Sequence, residues 1–393
     1  MSLAQLRAEV ERELTGIILP YYFKHAVDKQ YGGIYGRIDN NNRVYHTAPK
    51  GSVQHTRLIW TFAHAYRSLK SDAYLAMAGH TYNFLLDHLL DKDAGGLYWQ
   101  VDFQGHPLVT DKYTYGQAFG IYALAEYYFS THDERSLTEA VALYRLIESN
   151  TRDEQYGGYY EVFQEDWQKR LDINVDKVDG PVYKTMNSHL HLMEAYSNLY
   201  RIWPDESLRT VLRTLIRLHL DLIIDPASNH LRLQFAADWT PFNNHLSFGH
   251  DIEASWLLVE AAETLGEANL LAECQDMALR MVQVVYDEGI DSDGGLLSGT
   301  DQKDKEWWPQ AEALVGFLNA YQLSKEPKFA EAAGAIWAYV QKELVDHSNG
   351  EWFSGRQANG AMMREEKVSL WKTPYHNGRA CLELMDRIDE LQK

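Results

Sequence analysis

Apolar residues recur along the chain at intervals of three and four, the spacing of one face of an α-helix. This pattern runs from end to end and breaks only at short polar stretches. It predicts twelve helices, over residues 4–26, 57–70, 73–90, 115–131, 136–150, 187–203, 206–224, 251–265, 268–287, 308–323, 328–345 and 375–391. We therefore predict an all-α protein in which helices follow one another in pairs.

The glycine-rich stretches between the helix pairs resemble each other, which indicates an internal repeat. Glycine supplies the positive φ of a tight turn there, and the residues after it indicate a short strand or hairpin. Five copies are YGGIYG at 31–36, AGGLYW at 94–99, YGGYYE at 156–161, DGGLLS at 293–298 and NGEWFS at 349–354. The segment SNHLRL at 228–233 is a degenerate sixth copy.

Two kinds of helix alternate along the chain. Helices of the first kind are apolar on nearly all sides, as at 59–66, 120–127, 190–196 and 314–321. Their partner helices, such as 206–225 and 329–345, carry charge on one face. Buried inner helices with amphipathic outer helices predict a closed (α/α)6 barrel with short hairpins in its loops. An open solenoid would keep polar end caps, so we favour closure. Without a linker, residues 1–393 are predicted to form a single catalytic domain.

Composition and charge narrow the choice of partner. The net charge of −19 argues against nucleic acid or an anionic membrane and favours a small neutral ligand. The 25 Tyr and 11 Trp residues suit a pocket that stacks on ligand rings. Two cysteines indicate no disulfide framework and no thiolate metal site. Because signal-peptide and transmembrane patterns are missing, we predict a cytoplasmic protein. We expect it to be a monomer or a weak homodimer.

Polar and aromatic residues stand at the predicted start of every inner helix, at about the same phase. One end of each inner helix faces the centre of such a barrel, so this shared phase predicts a common pocket. The junction segments are 54–60, 112–119, 184–191, 249–253, 307–312 and 371–379. From the fourth junction onward, at steps of three, His250, Glu253 and Trp256 share one helix face.

The residue types at these junctions favour proton transfer. His189 and His191 form an H-x-H pair, but their spacing places them on nearly opposite helix faces, so we predict no metal site. No serine-nucleophile elbow and no nucleotide-binding glycine motif is present. Glu253 and Glu312 could serve an inverting glycosidase. The junctions nevertheless hold at least three histidines, and imidazoles suit proton abstraction next to a carbonyl group.

Five of these segments resemble motifs of the N-acylglucosamine 2-epimerase superfamily, most closely its cellobiose 2-epimerase branch. They are HTRLIW at 55–60, MNxxLH at 186–191, GHDIEASW at 249–256, WWPQAEA at 307–313 and WKTPYHNGR at 371–379. The resemblance extends over nearly the whole chain. It implies an (α/α)6 barrel that acts on a reducing-end aldose without a metal or redox cofactor. His189 departs from the pattern, because we expect an apolar or small residue there.

The resemblance also implies roles for individual residues. His250 and His376 match the two acid/base catalysts: one removes the C2 proton of the ring-opened sugar, the cis-enediolate turns about C2–C3, and a proton returns to the other face. Arg57 matches the arginine that supports the oxyanion at O1 and O2, and His191 matches a histidine associated with ring opening. Positions that match sugar-binding residues are Tyr115, Asn187, Glu253, Trp308, Glu312 and Trp371.

The predicted reaction is the interconversion of glucose- and mannose-configured sugars. Its substrate is either the reducing end of a cellobiose-type β-1,4-disaccharide or free mannose and glucose. An aldose–ketose isomerase would use the same enediolate but return the proton to C1. An inverting glycosidase and a glycan-binding barrel without activity are the alternatives from other classes.

Overall fold

The computed structural model describes residues 1–170, 182–242 and 245–393. Within these ranges the chain is mostly helical, with twelve helices that confirm the predicted number and order. They are α1 (Leu3–Glu13), α2 (Ser52–Leu69), α3 (Asp72–Phe84), α4 (Thr114–Thr131), α5 (Glu134–Asn150), α6 (Met186–Ile202), α7 (Glu206–Leu218), α8 (Phe248–Leu265), α9 (Ala268–Glu288), α10 (Trp307–Ser324), α11 (Pro327–Tyr339) and α12 (Tyr375–Leu391).

Four outer helices continue into π-helical turns. Helix α1 is extended by Leu14–Ile18, a three-residue α-turn Leu19–Tyr21 and Tyr22–Ala26. Helices α3, α7 and α11 end in the π-helical turns Leu85–Leu89, His219–Ile223 and Val340–Leu344. The apolar pattern continues through these turns, which explains why the sequence predicts single long segments such as 206–224.

The helices close into a ring. Each inner helix, in the order α2, α4, α6, α8, α10 and α12, packs on the next, and α12 packs back on α2. Each outer helix covers one inner helix, and α1 covers α12, so the two ends of the chain complete one repeat. The fold is therefore the predicted (α/α)6 barrel, in agreement with its structural neighbours. That residues 1–393 form a single domain stays a prediction.

Burial differs between the two rings as the sequence pattern predicts. In inner helix α4, every residue from Thr114 to Glu126 is buried. In outer helix α7, the buried side chains are confined to one face, formed by Leu208, Leu212, Leu215 and Ile216. No helix in the described ranges is long and apolar enough to cross a membrane.

Six turns of the same kind come directly after the six outer helices, as the glycine repeat predicts. Each is closed by an antiparallel bridge: Val27 with Ile34, Leu90 with Leu97, Arg152 with Tyr159, Ile224 with Leu231, Ile290 with Leu296 and Val345 with Trp352. Gly96 has a φ of 80° in the second turn. Asn229 has a φ of 59° in the degenerate copy, and asparagine tolerates this conformation better than most residues.

Ion pairs hold five of these turns, four of them buried, and nothing in the sequence pattern predicted them. In the first turn, one carboxylate oxygen of Asp28 accepts hydrogen bonds from the backbone N–H groups of Gln30 and Tyr31, and the other accepts from Lys50 Nζ at 2.8 Å. The other pairs are Lys112–Asp91, Lys184–Asp153, Lys305–Asp291 and Lys367–Asp346. Each lysine precedes an inner helix or its junction loop, so the pairs fix the turns against the helix ends that carry the site.

Short strands connect successive repeats. The pairs are β1 (Lys50–Gly51) with β2 (Gln100–Val101), β2 with β3 (Pro107–Val109), β4 (Lys112–Tyr113) with β5 (Val162–Phe163), β6 (Lys184–Thr185) with β7 (Gln234–Phe235), and β8 (Lys305–Glu306) with β9 (Gly355–Arg356). The predicted short hairpins are present as bridged turns within the loops, and the strand pairs between repeats add to them. Four of these five pairs join the strand before one inner helix to the loop that leads to the next inner helix.

Candidate active site

The first turns of the inner helices meet around one cavity of about 230 Å³, and the loop before α12 forms part of its rim. The lining residues are Arg57, Tyr115, Asn187, His191, His250, Glu253, Trp307, Trp308, Trp371 and His376. Nine of these ten are predicted site residues, so the shared phase at the junctions does mark a common pocket. The tenth, Trp307, was not singled out as a site residue from the sequence.

His250 and His376 both lie close to the Trp308 indole. The ring centroids of His250 and His376 lie 4.7 Å and 5.7 Å from that of Trp308. Helix α8 can approach this indole because residue 249 is glycine: a Cβ atom at Gly249 would lie 2.6 Å from the Trp308 ring. The absence of a side chain at position 249 thus sets the position of His250.

The two imidazoles have different partners at Nδ1. His376 Nδ1 lies 2.6 Å from Glu312 Oε1, and His250 Nδ1 lies 2.7 Å from Ser247 Oγ. An ionised carboxylate only accepts hydrogen bonds, so neutral His376 carries its proton on Nδ1 and has a free electron pair on Nε2. No described residue forms a hydrogen bond with Nε2 of either ring, and both rings line the cavity. Both Nε2 atoms are thus available to a ligand.

Burial keeps both imidazoles neutral. It lowers the pKa of His376 to about 3, and the hydrogen bond to Glu312 offsets this only in part. Burial, with a smaller contribution from the charge of His191, lowers the pKa of His250 to about 4. Desolvation disfavours the charged form of a histidine in this way. At neutral pH, either ring is therefore able to accept a proton.

Arg57 brings a positive charge to the cavity without a carboxylate partner. Its Nη1 donates to the Trp371 carbonyl at 2.7 Å and its Nη2 donates to the Tyr115 hydroxyl at 2.8 Å. The guanidinium lies over the rings of Phe119 and Tyr375, at 4.6 Å and 5.0 Å from the centroids. No described carboxylate forms an ion pair with it. A cation fixed and uncompensated in this manner is suited to stabilise a developing oxyanion.

A second arginine, Arg379, organises the floor of the pocket. Its Nη2 donates to Glu253 and to Glu312, at 2.7 Å in each case, and its Nη1 donates to Glu194 and lies close to the Tyr375 hydroxyl. Burial and the negative charge of Glu312 raise the pKa of Glu253. Burial alone would raise the pKa of Glu312 too, but Arg379 and His376 outweigh it and lower that pKa. The network therefore favours a neutral Glu253 beside an ionised Glu312.

Glu253, Glu312 and His376 are the described residues that could hold a metal ion, with ligand atoms within 4.8 Å of one another. Arg379 donates to both carboxylates, so a positive charge already stands between them. A divalent cation would have to displace this guanidinium. The residues present therefore fit an arginine-centred network better than a metal centre.

The H-x-H pair divides as predicted, with one ring inside. His191 lines the cavity, and its Nδ1 lies 2.8 Å from Glu194 Oε2. His189 faces the turn of its own repeat instead: its Nε2 accepts from the Tyr159 backbone N–H at 2.9 Å, and its Nδ1 lies 2.7 Å from the Thr185 carbonyl oxygen. His189 is a structural residue, which explains why a polar side chain is tolerated there.

Glu312 differs from its predicted role as a sugar contact. It does not line the cavity, because both of its oxygens are engaged behind the wall: Oε1 accepts from His376 and Arg379, and Oε2 accepts from Trp256 Nε1 at 3.1 Å. Trp256 is 1% exposed and packs beneath the pocket.

The remaining predicted residues form the walls of the cavity. Trp371 stands at the rim with 49% of its surface exposed, beside Trp99 and Tyr115. The amide oxygen of Asn187 is buried and has no described partner, so it is free to bind a hydroxyl group. Flat indoles and unpaired polar atoms in one cavity suit a ligand with apolar faces and many hydroxyl groups.

Comparison with known proteins agrees with this geometry. A family model described as N-acylglucosamine 2-epimerase matches residues 33–380. The chain belongs to the N-acylglucosamine 2-epimerase family. It is therefore a carbohydrate epimerase, an enzyme of the isomerase class.

Individual members of the N-acylglucosamine 2-epimerase family are similar over almost their whole length. A cellobiose 2-epimerase of Bacteroides fragilis is 39% identical over 97% of this chain and 98% of that protein. The structure of cellobiose 2-epimerase from Bacillus thermoamylovorans is 38% identical, with a TM-score of 0.95 over 98% of this chain and 100% of that one. A more distant relative, the D-mannose isomerase of Marinomonas mediterranea, is 24% identical over 97% of this chain.

Three residues that contact the lining of the pocket were missed in the sequence. Glu194 and Arg379 lie within helices, at positions where a charge usually indicates a solvent-exposed face. Ser247 precedes α8 and resembles an ordinary helix cap. A clue was present for Arg379, because it closes the 371–379 motif and lies three residues after His376. Side chains three residues apart are neighbours on a helix.

Proposed function

We propose that the chain is a cofactor-independent sugar 2-epimerase that interconverts glucose- and mannose-configured aldoses. The observation that carries the proposal is the pair of neutral imidazoles, His250 and His376. Their Nε2 atoms have no hydrogen-bond partner among the described residues, and they line one cavity with Arg57, a cation to which no described carboxylate is paired. A proton on the carbon next to an aldehyde is weakly acidic. Its removal needs a well-placed base and a positive charge near the oxygen that becomes negative.

In the proposed reaction, the sugar opens to its aldehyde form, assisted by His191. Nε2 of one catalytic imidazole takes the C2 proton, and the electrons of the C–H bond form a cis-enediolate whose charge lies on O1 and O2 near Arg57. The intermediate turns about C2–C3. The other imidazole, protonated at Nε2 by solvent before this step, supplies that proton to the opposite face of C2, and the first imidazole then releases the proton taken from C2 to solvent. Two bases in one cavity allow either epimer to react.

For the substrate, we propose the reducing end of a β-1,4-linked disaccharide of the cellobiose type. Support comes from the relatives named cellobiose 2-epimerases, at 39% and 38% identity. The cavity of about 230 Å³ is small for a whole disaccharide, and the exposed indole of Trp371 at its rim offers a stacking surface for a second ring. Free mannose and glucose remain the alternative substrates.

Aldose–ketose isomerisation is the second candidate reaction, since it uses the same enediolate. Epimerisation is favoured because the 2-epimerases are much more similar to the chain than the D-mannose isomerase is. The geometry does not support an inverting glycosidase. Its two carboxyl groups stand about 6.5–9.5 Å apart to admit water, whereas ligand oxygens of Glu253 and Glu312 lie within 4.8 Å and share Arg379.

A substrate panel tests the proposal. The purified chain is incubated with cellobiose, mannose and glucose separately, and the products are identified by NMR. We expect 4-O-β-glucosylmannose from cellobiose, with the glycosidic bond intact. A ketose product would favour the isomerase, free glucose from cellobiose would favour the glycosidase, and unchanged sugars would indicate a glycan-binding barrel. His250→Ala and His376→Ala serve as matched inactive controls.

A further inference from the structure

Ser247 is joined to His250, the proposed acid/base residue of α8, in two ways that the reaction as described does not require. It is the N-cap of the helix, and its hydroxyl oxygen accepts a long hydrogen bond from the His250 backbone N–H at 3.4 Å. The same oxygen lies 2.7 Å from His250 Nδ1. One hydroxyl group thus holds both the backbone and the ring of His250.

The partner of His250 differs in kind from those of the other two histidines in the pocket. His376 and His191 are paired with carboxylates, Glu312 and Glu194. A carboxylate that only accepts keeps the proton of a neutral ring on Nδ1. A serine hydroxyl can both accept and donate, so it can pair with Nδ1 whether or not that nitrogen carries a proton.

Among the described residues, Ser247 is the one that restrains rotation of the His250 ring by a hydrogen bond. Trp308 covers one side of His250 at 4.7 Å between centroids. No described residue other than Ser247 forms a hydrogen bond with the ring. Without the hydroxyl group, the imidazole could turn about its Cβ–Cγ bond while remaining packed against the indole. Its Nε2 would then no longer be directed at the substrate.

We infer that Ser247 is the positioning residue of His250 and holds Nε2 of that imidazole toward the substrate while its protonation state changes during the reaction. The inference rests on the proposed function, because it assigns an acid/base role to His250. Under this inference the two halves of the reaction depend on different groups. Proton transfer by His250 depends on Ser247, whereas proton transfer by His376 depends on Glu312.

This division gives a test that a merely structural role would not satisfy. In D2O, the base that removes the C2 proton exchanges it for deuterium, and the enediolate is then quenched by either imidazole. If His250 is misplaced and His376 is intact, His376 deprotonates its epimer and then returns a deuteron to the same face of C2. That epimer then gains deuterium at C2 without inversion. The epimer that His250 deprotonates is slow in both C2 exchange and epimerisation.

The variants are Ser247→Ala, Ser247→Gly and Ser247→Thr. Glycine caps helices almost as well as serine, so Ser247→Gly removes the hydroxyl group with little loss of the cap. Threonine retains both the cap and the hydroxyl group, and the extended backbone at position 247, with φ −133° and ψ 98°, suits it. Asp133→Ala, which removes an N-cap on outer helix α5, is the control for cap loss alone. Epimer formation and C2 deuteration are measured by NMR from each epimer.

We expect Ser247→Ala and Ser247→Gly to lower the rate of epimerisation about 10–100-fold, the range for a misplaced catalytic group. The ratio of C2 exchange to epimerisation should rise for one of the two epimers only. Ser247→Thr should stay within about threefold of the wild-type rate, and Asp133→Ala should leave rate and ratio unchanged.

Two results would overturn the role of Ser247 while leaving the proposed function intact. One is a wild-type rate in the alanine and glycine variants. The other is a loss of rate in which exchange and epimerisation fall together for both epimers, as a structural defect would cause. If the wild-type chain itself neither forms an epimer nor exchanges the C2 proton, the proposed function fails, and the role of Ser247 fails with it.

Discussion

Replacing His189 by glutamine should make the protein less sensitive to acid without affecting its catalysis. His189 is completely buried, and both ring nitrogens are used within the fold. At the equivalent position of two other repeats, Gln117 and Gln310 accept from the turn N–H groups of Leu97 and Leu296, at 2.7 Å each, and donate back to carbonyl oxygens. Glutamine therefore already fills this position in the same fold.

The size of the effect is set by the pKa of the ring. Burial lowers the pKa of His189 to about 3, whereas a histidine in the unfolded chain has a pKa of about 6.5. Above pH 6.5 the ring is neutral in both states and has no influence on the pH dependence. As the pH falls below 6.5, only the unfolded chain gains the proton, so the free energy of unfolding decreases by about 1.4 kcal/mol per pH unit. At pH 5 the loss is about 2 kcal/mol.

Urea unfolding of wild type and His189→Gln at pH 7.5 and pH 5 measures this difference. The decrease in unfolding free energy between the two pH values should be about 2 kcal/mol smaller in the variant. His55, whose burial also lowers its pKa to about 3, remains in both proteins and cancels in the comparison. The variant should keep wild-type kcat, whereas His191→Gln should lose activity. An unchanged pH dependence in His189→Gln, or a large loss of stability at pH 7.5, would refute the reasoning.

Four further predictions concern the pocket itself. His250→Ala and His376→Ala should each lower kcat by about 10²–10⁴-fold while circular dichroism stays unchanged; near-normal rates in either variant would remove that residue from the mechanism. Glu312→Gln should lower kcat about 10²-fold with little change in KM, because the carboxylate orients His376 and does not line the cavity; a rise in KM alone would show that it binds sugar instead. Arg57→Lys keeps the charge but loses the fork that binds Tyr115 and the Trp371 carbonyl, so steady-state kinetics should show kcat reduced about 10–100-fold; wild-type kcat would contradict the oxyanion role. Trp371→Ala should raise KM for cellobiose about tenfold through lost stacking, and raise KM for mannose less; equal effects on both sugars would argue against a second ring at the rim.

Local chemistry made the repeat and the pocket predictable. A turn with positive φ favours glycine or asparagine, so the six turns appear in the sequence as glycine-rich copies and as Asn229. Inner helices must be apolar all round, and any polar residue at their starts requires another reason. That reason is either the cavity or the preceding turn. Arg57, Tyr115 and His250 could therefore be assigned to one site before their distances were known.

Two of the inner helices start several residues earlier than predicted, for the same reason. Helix α2 begins at Ser52 and α8 begins at Phe248, several residues before the predicted starts at 57 and 251. The first turn of each helix is occupied by residues that serve the pocket or the preceding turn. These residues interrupt the apolar periodicity, so periodicity alone places the helix start after them.

Contacts between distant repeats were not predictable from local patterns. Arg379 joins Glu194, Glu253 and Glu312, which are separated from it by 67 or more positions. The pairing of Lys50 with Asp28 likewise depends on the approach of a turn to a helix start. In a single sequence, a buried charge and an exposed charge look alike, and only the packing distinguishes them.

The central claim is that two imidazoles transfer the C2 proton, and solvent deuterium tests it most directly. Cellobiose is incubated with the wild-type chain in D2O, and the disaccharide product is examined by NMR. The mechanism predicts an epimer that carries deuterium at C2, no deuterium at C1, and neither epimer nor deuterium in His250→Ala/His376→Ala. An epimer that retains its original hydrogen at C2, or that is labelled at another carbon, would contradict the account.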